Sequence, residues 1–358
     1  MSSPESKRSS RARAPGRPKP GETPSGGRSP YAAIGGLSYT PRREARSLFV
    51  PVRGLRYHLL AWGDASLVTA QRPPLVMLHG WMDVAASFQF VVDAMQPDRY
   101  VLALDLRGFG LTEAPGTDTY WFPDYLGDLE AVLDAVIEKE RPGQRIDLLG
   151  HSMGGNVVMI YAGVRPSRVQ RLVNLEGFGM PESKPQQAPK RYALWLDELK
   201  APAQLRSYDS VEAVADRLRK TNPLLPPERA AWLARQWSRP RAGADATTPQ
   251  WELLADPAHK RVNPILYRKE EVLECWKLIS APVLWVEGDR TDVTKWWGDR
   301  YPRADFEARL ALVRRLERVV IEEAGHMLHH DQPAVLASHL QRFLGEQPHP
   351  GPHQGARE

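Results

Sequence analysis

Six short apolar runs limit what this chain can fold into more than any other feature: Leu75–Leu78, Val101–Leu106, Ile146–Leu149, Arg171–Leu175, Val283–Val286 and Arg318–Ile321. Most lack apolar–polar alternation, the pattern of parallel strands covered on both faces. Helical stretches separate them, clearest at Tyr125–Glu140, where apolar residues recur at positions 126, 129, 132, 133, 136 and 137. Ahead of them, Leu48–Val52 and Leu55–Trp62 predict a hairpin around Arg53-Gly54. This alternation predicts an α/β protein, doubly wound, with a mostly parallel central sheet and helices on both faces.

One stretch breaks the rhythm. Residues 178–280 show no convincing strand but several helical patterns, at Tyr192–Leu199, Val211–Lys220 and Pro227–Trp237. The spacing predicts a helical insertion between two sheet strands, dividing the core into 46–177 and 281–346. It carries Trp195, Trp232, Trp237, Trp251 and Trp276. Each can pack the insertion onto the sheet, and Trp195, Trp232, Trp237 and Trp251 are the candidates for lining an apolar pocket. The segment 347–358, rich in Pro, His and Gly, reads as a flexible C-terminal tail.

The net charge of +5 raises the question of nucleic acid, and its location answers it. Residues 1–44 alone sum to +6, leaving the other 314 residues near −1. The globule carries no basic stripe with interleaved aromatics, so no nucleic-acid partner is expected. Residues 1–45, rich in Pro, Ser and Arg, read as a disordered basic tail. Its prolines at 4, 15, 18, 20, 24 and 30 disfavour the amphipathic helix of a transit peptide, and no apolar signal region is present. No run of 18 apolar residues exists, so no membrane span is expected. Cys275 is the single cysteine, which excludes an intrachain disulfide and fits a cytoplasmic location.

The chemistry concentrates in three short motifs. Gly150-His151-Ser152-Met153-Gly154-Gly155 follows one apolar run and precedes the helical run Asn156–Val164. A strand-to-helix turn of this kind exposes a serine hydroxyl, and the helix N-terminus favours developing negative charge. Glycines at 150 and 154 suit it because side chains there would collide across the turn. Gly325-His326-Met327-Leu328-His329-His330 follows the last strand, where His326 can fold back over Ser152 as its general base. His329 and His330 read as structural, and no metal site is expected, because no HExxH or carboxylate cluster accompanies them. His79-Gly80-Trp81-Met82-Asp83 would bring the backbone N–H of Trp81 beside that of Met153 as an oxyanion-binding pair. The turn Asp105-Leu106-Arg107-Gly108-Phe109-Gly110 reads as a structural salt bridge or loop-shaping element.

Taken in order, HGWMD, DLRGFG, GHSMGG and AGHMLHH resemble the α/β-hydrolase fold family, from about residue 48 to 345. The resemblance implies a Ser-acid-His triad at the sheet edge and places residues 178–280 where that family carries a helical cap. The acid departs from the simplest family pattern. At the usual site, after the penultimate strand, Thr291 stands at the expected place, with Asp292 one residue late and Asp289 two early. A second family location, seen in some haloalkane dehalogenases, lies at the end of the strand after the nucleophile, and Glu176 occupies it here. An acid ending an apolar strand needs a partner, and the His326 imidazole would supply one. Glu176 is therefore favoured, with Asp292 and Asp289 as alternatives.

A serine at the turn suits attack on a carbonyl through an acyl-enzyme. The leading expectation is a carboxylic ester hydrolase for small to medium apolar or aromatic acyl substrates, requiring no cofactor. Carbon–carbon bond hydrolysis, cofactor-free oxygenation and non-catalytic binding of a small ligand remain open alternatives on the same fold. The expected partner is a small-molecule substrate. The motifs do not address oligomeric state.

Overall fold

The computed structural model describes residues 27–28, 39–241 and 250–345. The N-terminal half holds β1 (Gly27–Arg28), β2 (Arg46–Val52), β3 (Leu55–Trp62), β4 (Leu75–Leu78), α1 (Gln89–Ala94), β5 (Val101–Leu104), α2 (Phe122–Leu133), β6 (Ile146–His151), α3 (Met153–Val164) and β7 (Val169–Leu175). Then follow α4 (Ala188–Glu198), α5 (Val211–Thr221), α6 (Pro227–Trp237), β8 (Ser238–Arg241), β9 (Gln250–Leu253) and α7 (Lys269–Lys277). The chain returns to the sheet with β10 (Val283–Gly288), α8 (Thr294–Trp297), α9 (Arg303–Leu310), β11 (Leu316–Ile321), α10 (Leu328–Asp331) and α11 (Pro333–Gly345).

The main sheet has the order β1-β2-β3-β5-β4-β6-β7-β10-β11. Pairing is antiparallel through β3–β5 and parallel from β5 to β11. The order reverses at β4, flanked by β5 and β6, so a crevice opens at the carboxyl ends of β4 and β6. Every residue of β4, β5, β6, β7 and β10 is buried, which is why their sequences read as continuous runs. At the edge, β11 leaves Val320 exposed. The expected hairpin forms around Arg53-Gly54, with both residues at positive φ.

Three expectations need correction. Residues 178–280 do contain strands, since β8 and β9 pair as an antiparallel hairpin outside the main sheet. β8 reads Ser-Arg-Pro-Arg with three exposed residues, so it carries no apolar signal. Second, the last residues assigned to the basic tail are packed. Tyr39 Oη donates to Asp93 Oδ2 at 2.6 Å, and the Arg42 and Arg43 amides donate to the same carboxylate. The rest of that tail, apart from β1, and the expected tail at 347–358 lie outside the described residues. Third, the helix expected at Tyr125–Glu140 starts earlier, at Phe122, and widens into a π turn over Asp134–Glu138.

Candidate active site

The serine turn is built by close backbone approach. Ser152 sits at φ 51°, ψ −113°, a conformation costly for a side-chain-bearing residue and one that surrounding structure must enforce. Enforcement comes from β6 and α3 folding onto each other. A Cβ at Gly150 would lie 2.3 Å from the Gly154 carbonyl oxygen, and one at Gly154 would lie 2.3 Å from that of Leu78. Only glycine fits both places. Met153 is the first residue of α3, so its N–H has no carbonyl within the helix to bond.

Two further segments converge on that serine. Loop residue His326, between β11 and α10, places Nε2 2.9 Å from Ser152 Oγ and Nδ1 2.6 Å from Glu176 Oε2. The carboxylate can only accept, so Nδ1 carries the proton and Nε2 accepts from the serine hydroxyl. Glu176 follows β7 at φ 54° and is 1% exposed. Its other oxygen accepts from the Gly288 amide at 2.7 Å and from Thr291 Oγ1 at 2.6 Å. A carboxylate held by three donors tolerates burial that an isolated one would not. Asn174, fully buried, braces this turn by accepting from the Gly177 amide at 2.7 Å.

The alternative acids lie elsewhere. Asp292 is exposed and accepts from the Thr294 amide at 3.0 Å, while Asp289 is exposed and accepts from the Ala324 amide at 3.1 Å. Neither is hydrogen-bonded to His326. Thr291, at the position where the simplest family pattern would place an acid, instead donates to Glu176.

Two histidines fix the loop after β4 and the serine turn. His79 Nε2 accepts from the Leu106 amide at 2.9 Å, so its Nδ1 donates to the Gly80 carbonyl at 2.7 Å. His151 Nε2 donates to the His326 carbonyl at 2.8 Å, tying the serine turn to the histidine loop. Burial holds the His151 imidazole well below its ordinary pKa, helped by the neighbouring His329 and His326, so it stays neutral. Gly80, Trp81, Ser152 and Met153 share one cavity wall. The Trp81 side chain itself is exposed, its indole donating to the His259 carbonyl at 3.3 Å.

That cavity measures about 800 Å³ and reaches from Ser152 into the segment between β7 and β10. Of the tryptophans expected in its wall, Trp237 lines it. Trp195, Trp232 and Trp251 do not. Trp232 packs against Tyr39 and Phe90, and Trp251 pairs with Tyr208 and with β8. Trp195 is half-buried on α4. Instead Trp121, Trp296 and Trp297 join Trp81 and Trp237 along the cavity. The Trp296 ring meets His326 edge-on, with centroids 4.4 Å apart. Sequence reasoning missed these because each lies in a loop or short turn, where no periodicity marks a face.

Two other expectations have structural outcomes. Asp105 and Arg107 serve structure, but not by pairing with each other. Asp105 contacts His58 Nδ1 at 2.7 Å and accepts the Ala85 and Leu111 amides, while Arg107 grips Asp128 with Nε and Nη2, both at 2.6 Å. His329 and His330 are buried, and the fold brings Asp83 to them, a carboxylate that sequence distance concealed. Donor atoms of Asp83, His329 and His330 lie within 4.8 Å of one another, a set of the kind that suits a transition ion. His329 Nε2 and Asp83 Oδ2, 3.8 Å apart, form an electrostatic pair longer than a hydrogen bond.

Comparison with known proteins now fits this geometry. Residues 73–333 match the family described as alpha/beta hydrolase fold. The chain belongs to that family. A serine hydrolase-like protein of Dictyostelium discoideum is 23% identical over 80% of this chain and 78% of its own length. A cis-3-alkyl-4-alkyloxetan-2-one decarboxylase of Shewanella oneidensis is 30% identical over 77% of this chain and 83% of its own. The serine hydrolase-like protein of Danio rerio is 32% identical, but the match spans only 40% of its length. Among solved structures, a thioesterase domain from the curacin biosynthetic pathway superposes with TM-score 0.69 at 25% identity, covering 83% of this chain and 99% of that one. The chain is thus a hydrolase of the α/β-hydrolase fold. Among the described residues, no helix is long and apolar enough to cross a membrane.

Proposed function

We propose that this protein is a cytoplasmic serine hydrolase that cleaves carboxylic esters through an acyl-enzyme, with Ser152 as nucleophile, His326 as base and Glu176 as the acid. The observation that carries this reading is the continuous hydrogen-bond chain from Glu176 Oε2 through His326 to Ser152 Oγ, at a serine held at positive φ.

Ser152 Oγ attacks the ester carbonyl carbon as its proton passes to His326 Nε2. The imidazolium so formed is stabilised by Glu176, which keeps its proton on Nδ1 and its ring in register. The carbonyl oxygen becomes an oxyanion, and the backbone N–H groups of Trp81 and Met153 are its donors. When the tetrahedral intermediate collapses, the carbon–oxygen bond to the leaving group breaks and His326 returns the proton to the departing alcohol. Water, deprotonated by the same histidine, then attacks the acyl-serine and releases the acid. Residues 178–280 act as the cap, and Trp237 with Trp121 and Phe178 makes its cavity suitable for an apolar or aromatic acyl group. The substrate of the decarboxylase relative is by its name an oxetanone, which is a cyclic ester, so that likeness is compatible with an apolar ester as substrate.

Labelling with a fluorophosphonate, read by intact mass, tests the reading. Wild type is expected to gain one adduct and Ser152→Ala none. A wild-type protein that neither labels nor turns over a p-nitrophenyl ester overturns it.

A further inference from the structure

The cavity wall opposes apolar surface with an unbalanced positive charge. Three guanidinium groups line it, each from a different part of the inserted segment: Arg191 on α4, Arg217 on α5 and Arg261 after the turn Pro257–Lys260. Two carboxylates line the same cavity, and both are committed. Glu176 is held by His326, Gly288 and Thr291, while Asp83 accepts from the Val84 amide and from Ser87 through Oδ1 and turns Oδ2 toward His329 at 3.8 Å. Among the described residues, neither Arg191 nor Arg217 forms an ion pair. Arg191 Nε donates to the Asn263 carbonyl, a neutral partner, at 2.5 Å. Burial depresses the Arg191 pKa with no carboxylate to offset it. Arg261 reaches the carboxylate of the exposed Asp118 only at 3.7 Å, its Nη1 and Nη2 donate to the neutral Asp118 and Ala201 carbonyls at 3.5 and 3.3 Å, and its Nε is buried without a partner.

Guanidinium groups drawn toward a low-dielectric cavity cost desolvation energy that a counter-charge normally offsets. Their planar donor fork matches carboxylate and phosphate oxygens. We propose that the cavity takes an ester or thioester bearing an anionic group away from its reacting carbonyl, and that Arg191, Arg217 and Arg261 receive that group. This rests on the serine hydrolase reading, since it is Ser152 that places the carbonyl. The anion has two chemical sources: a carboxylate at the far end of the acyl chain, or a phosphate on the leaving group.

Calorimetry on the full chain carrying Ser152→Ala separates them without turnover. One pair compares monoethyl adipate with ethyl hexanoate, and the other compares hexanoyl-coenzyme A with hexanoyl-N-acetylcysteamine. The anionic member of at least one pair is expected to bind about tenfold tighter or better, in the range that charge complementarity supplies. The pair that responds names the source. Adding Arg217→Gln is expected to cut that ratio about fivefold, while Arg217→Lys, which keeps the charge but loses the planar fork, restores only part of it. Ratios within about twofold for both pairs overturn the proposal, as does a ratio that Arg191→Gln, Arg217→Gln and Arg261→Gln all leave intact. Hydrolysis of p-nitrophenyl hexanoate by wild type is scored separately. Turnover without anion preference sinks this inference alone, whereas anion preference in a wild-type protein that neither turns over the ester nor labels with the fluorophosphonate keeps the anion subsite and sinks the hydrolase reading.

Discussion

The sheet edge and the inserted segment meet at one cavity and are built in opposite ways. At the sheet edge each group of the proposed triad is overdetermined. Glu176 has three donors, Ser152 is locked by two glycine contacts, and His326 is held between both and against Trp296. In the inserted segment the arginines facing the cavity are half-buried, come from separate elements and have few fixed partners, as Arg191 and Arg217 show, while Leu218, Leu225 and Trp237 beside them are buried. The difference teaches that reaction chemistry needs sub-ångström placement and receives it from buried backbone, whereas substrate choice can be set by side chains on a more loosely tied wall.

The largest expected effect breaks the comparison on the sheet side. Ser152→Ala should lower kcat on a p-nitrophenyl ester by about 10⁶-fold, the scale seen when a triad nucleophile is removed. Glu176→Gln should cost about 10⁴-fold in kcat, because an amide can present its NH₂ to His326 and select the wrong tautomer. Steady-state kinetics with circular dichroism as a folding check reads both, and a Glu176→Gln enzyme within tenfold of wild type would return the acid to Asp292 or Asp289.

Stability sharpens the contrast next. Burial alone would raise the Asp105 carboxyl, but His58 holds it below the ordinary carboxylate range. Asp105→Asn should therefore destabilise by about 3 kcal/mol, the cost of breaking a buried pair, measured by urea unfolding. The buried histidines give a pH signature. Burial depresses His151 and His330 well below their ordinary pKa and lowers His259 to about 3. In the unfolded chain these groups bind protons below about pH 6.5, while in the folded chain they stay neutral. Stability is then full above that pH and falls as pH drops through it, by about 1.4 kcal/mol per unit for each histidine. Replacing His330 by Gln should flatten the slope by about one proton, and an unchanged slope would show that His330 is charged in the fold. The smallest effect lies on the inserted side. Trp237→Ala should change acyl-chain-length preference by about tenfold in kcat/KM, while Trp195→Ala should leave it unchanged. Equal responses would erase the distinction between wall and packing.

What was legible from residues alone follows one rule. Strands buried on both faces read as apolar runs, so the sheet was visible, although Val169, Gln170 and the last residues of β6 and β10 were not, because polar or glycine positions interrupt the run. The serine turn was legible because its glycines answer a local steric demand. The β8–β9 hairpin was not, since Ser-Arg-Pro-Arg has no hydrophobic period to detect.

By itself the sequence determined the fold class, the turn carrying Ser152, and the candidates for its base and acid, because those depend on residues adjacent in the chain or on strand order. Only tertiary structure decided that Glu176 meets His326 while Thr291 supports it, that Asp83 joins His329 and His330, and that Trp237 lines the cavity while Trp195, Trp232 and Trp251 do not. The reason is physical. A helix or turn presents its side chains according to how it docks, and docking depends on shape complementarity between segments 100 or more residues apart, which no local pattern encodes.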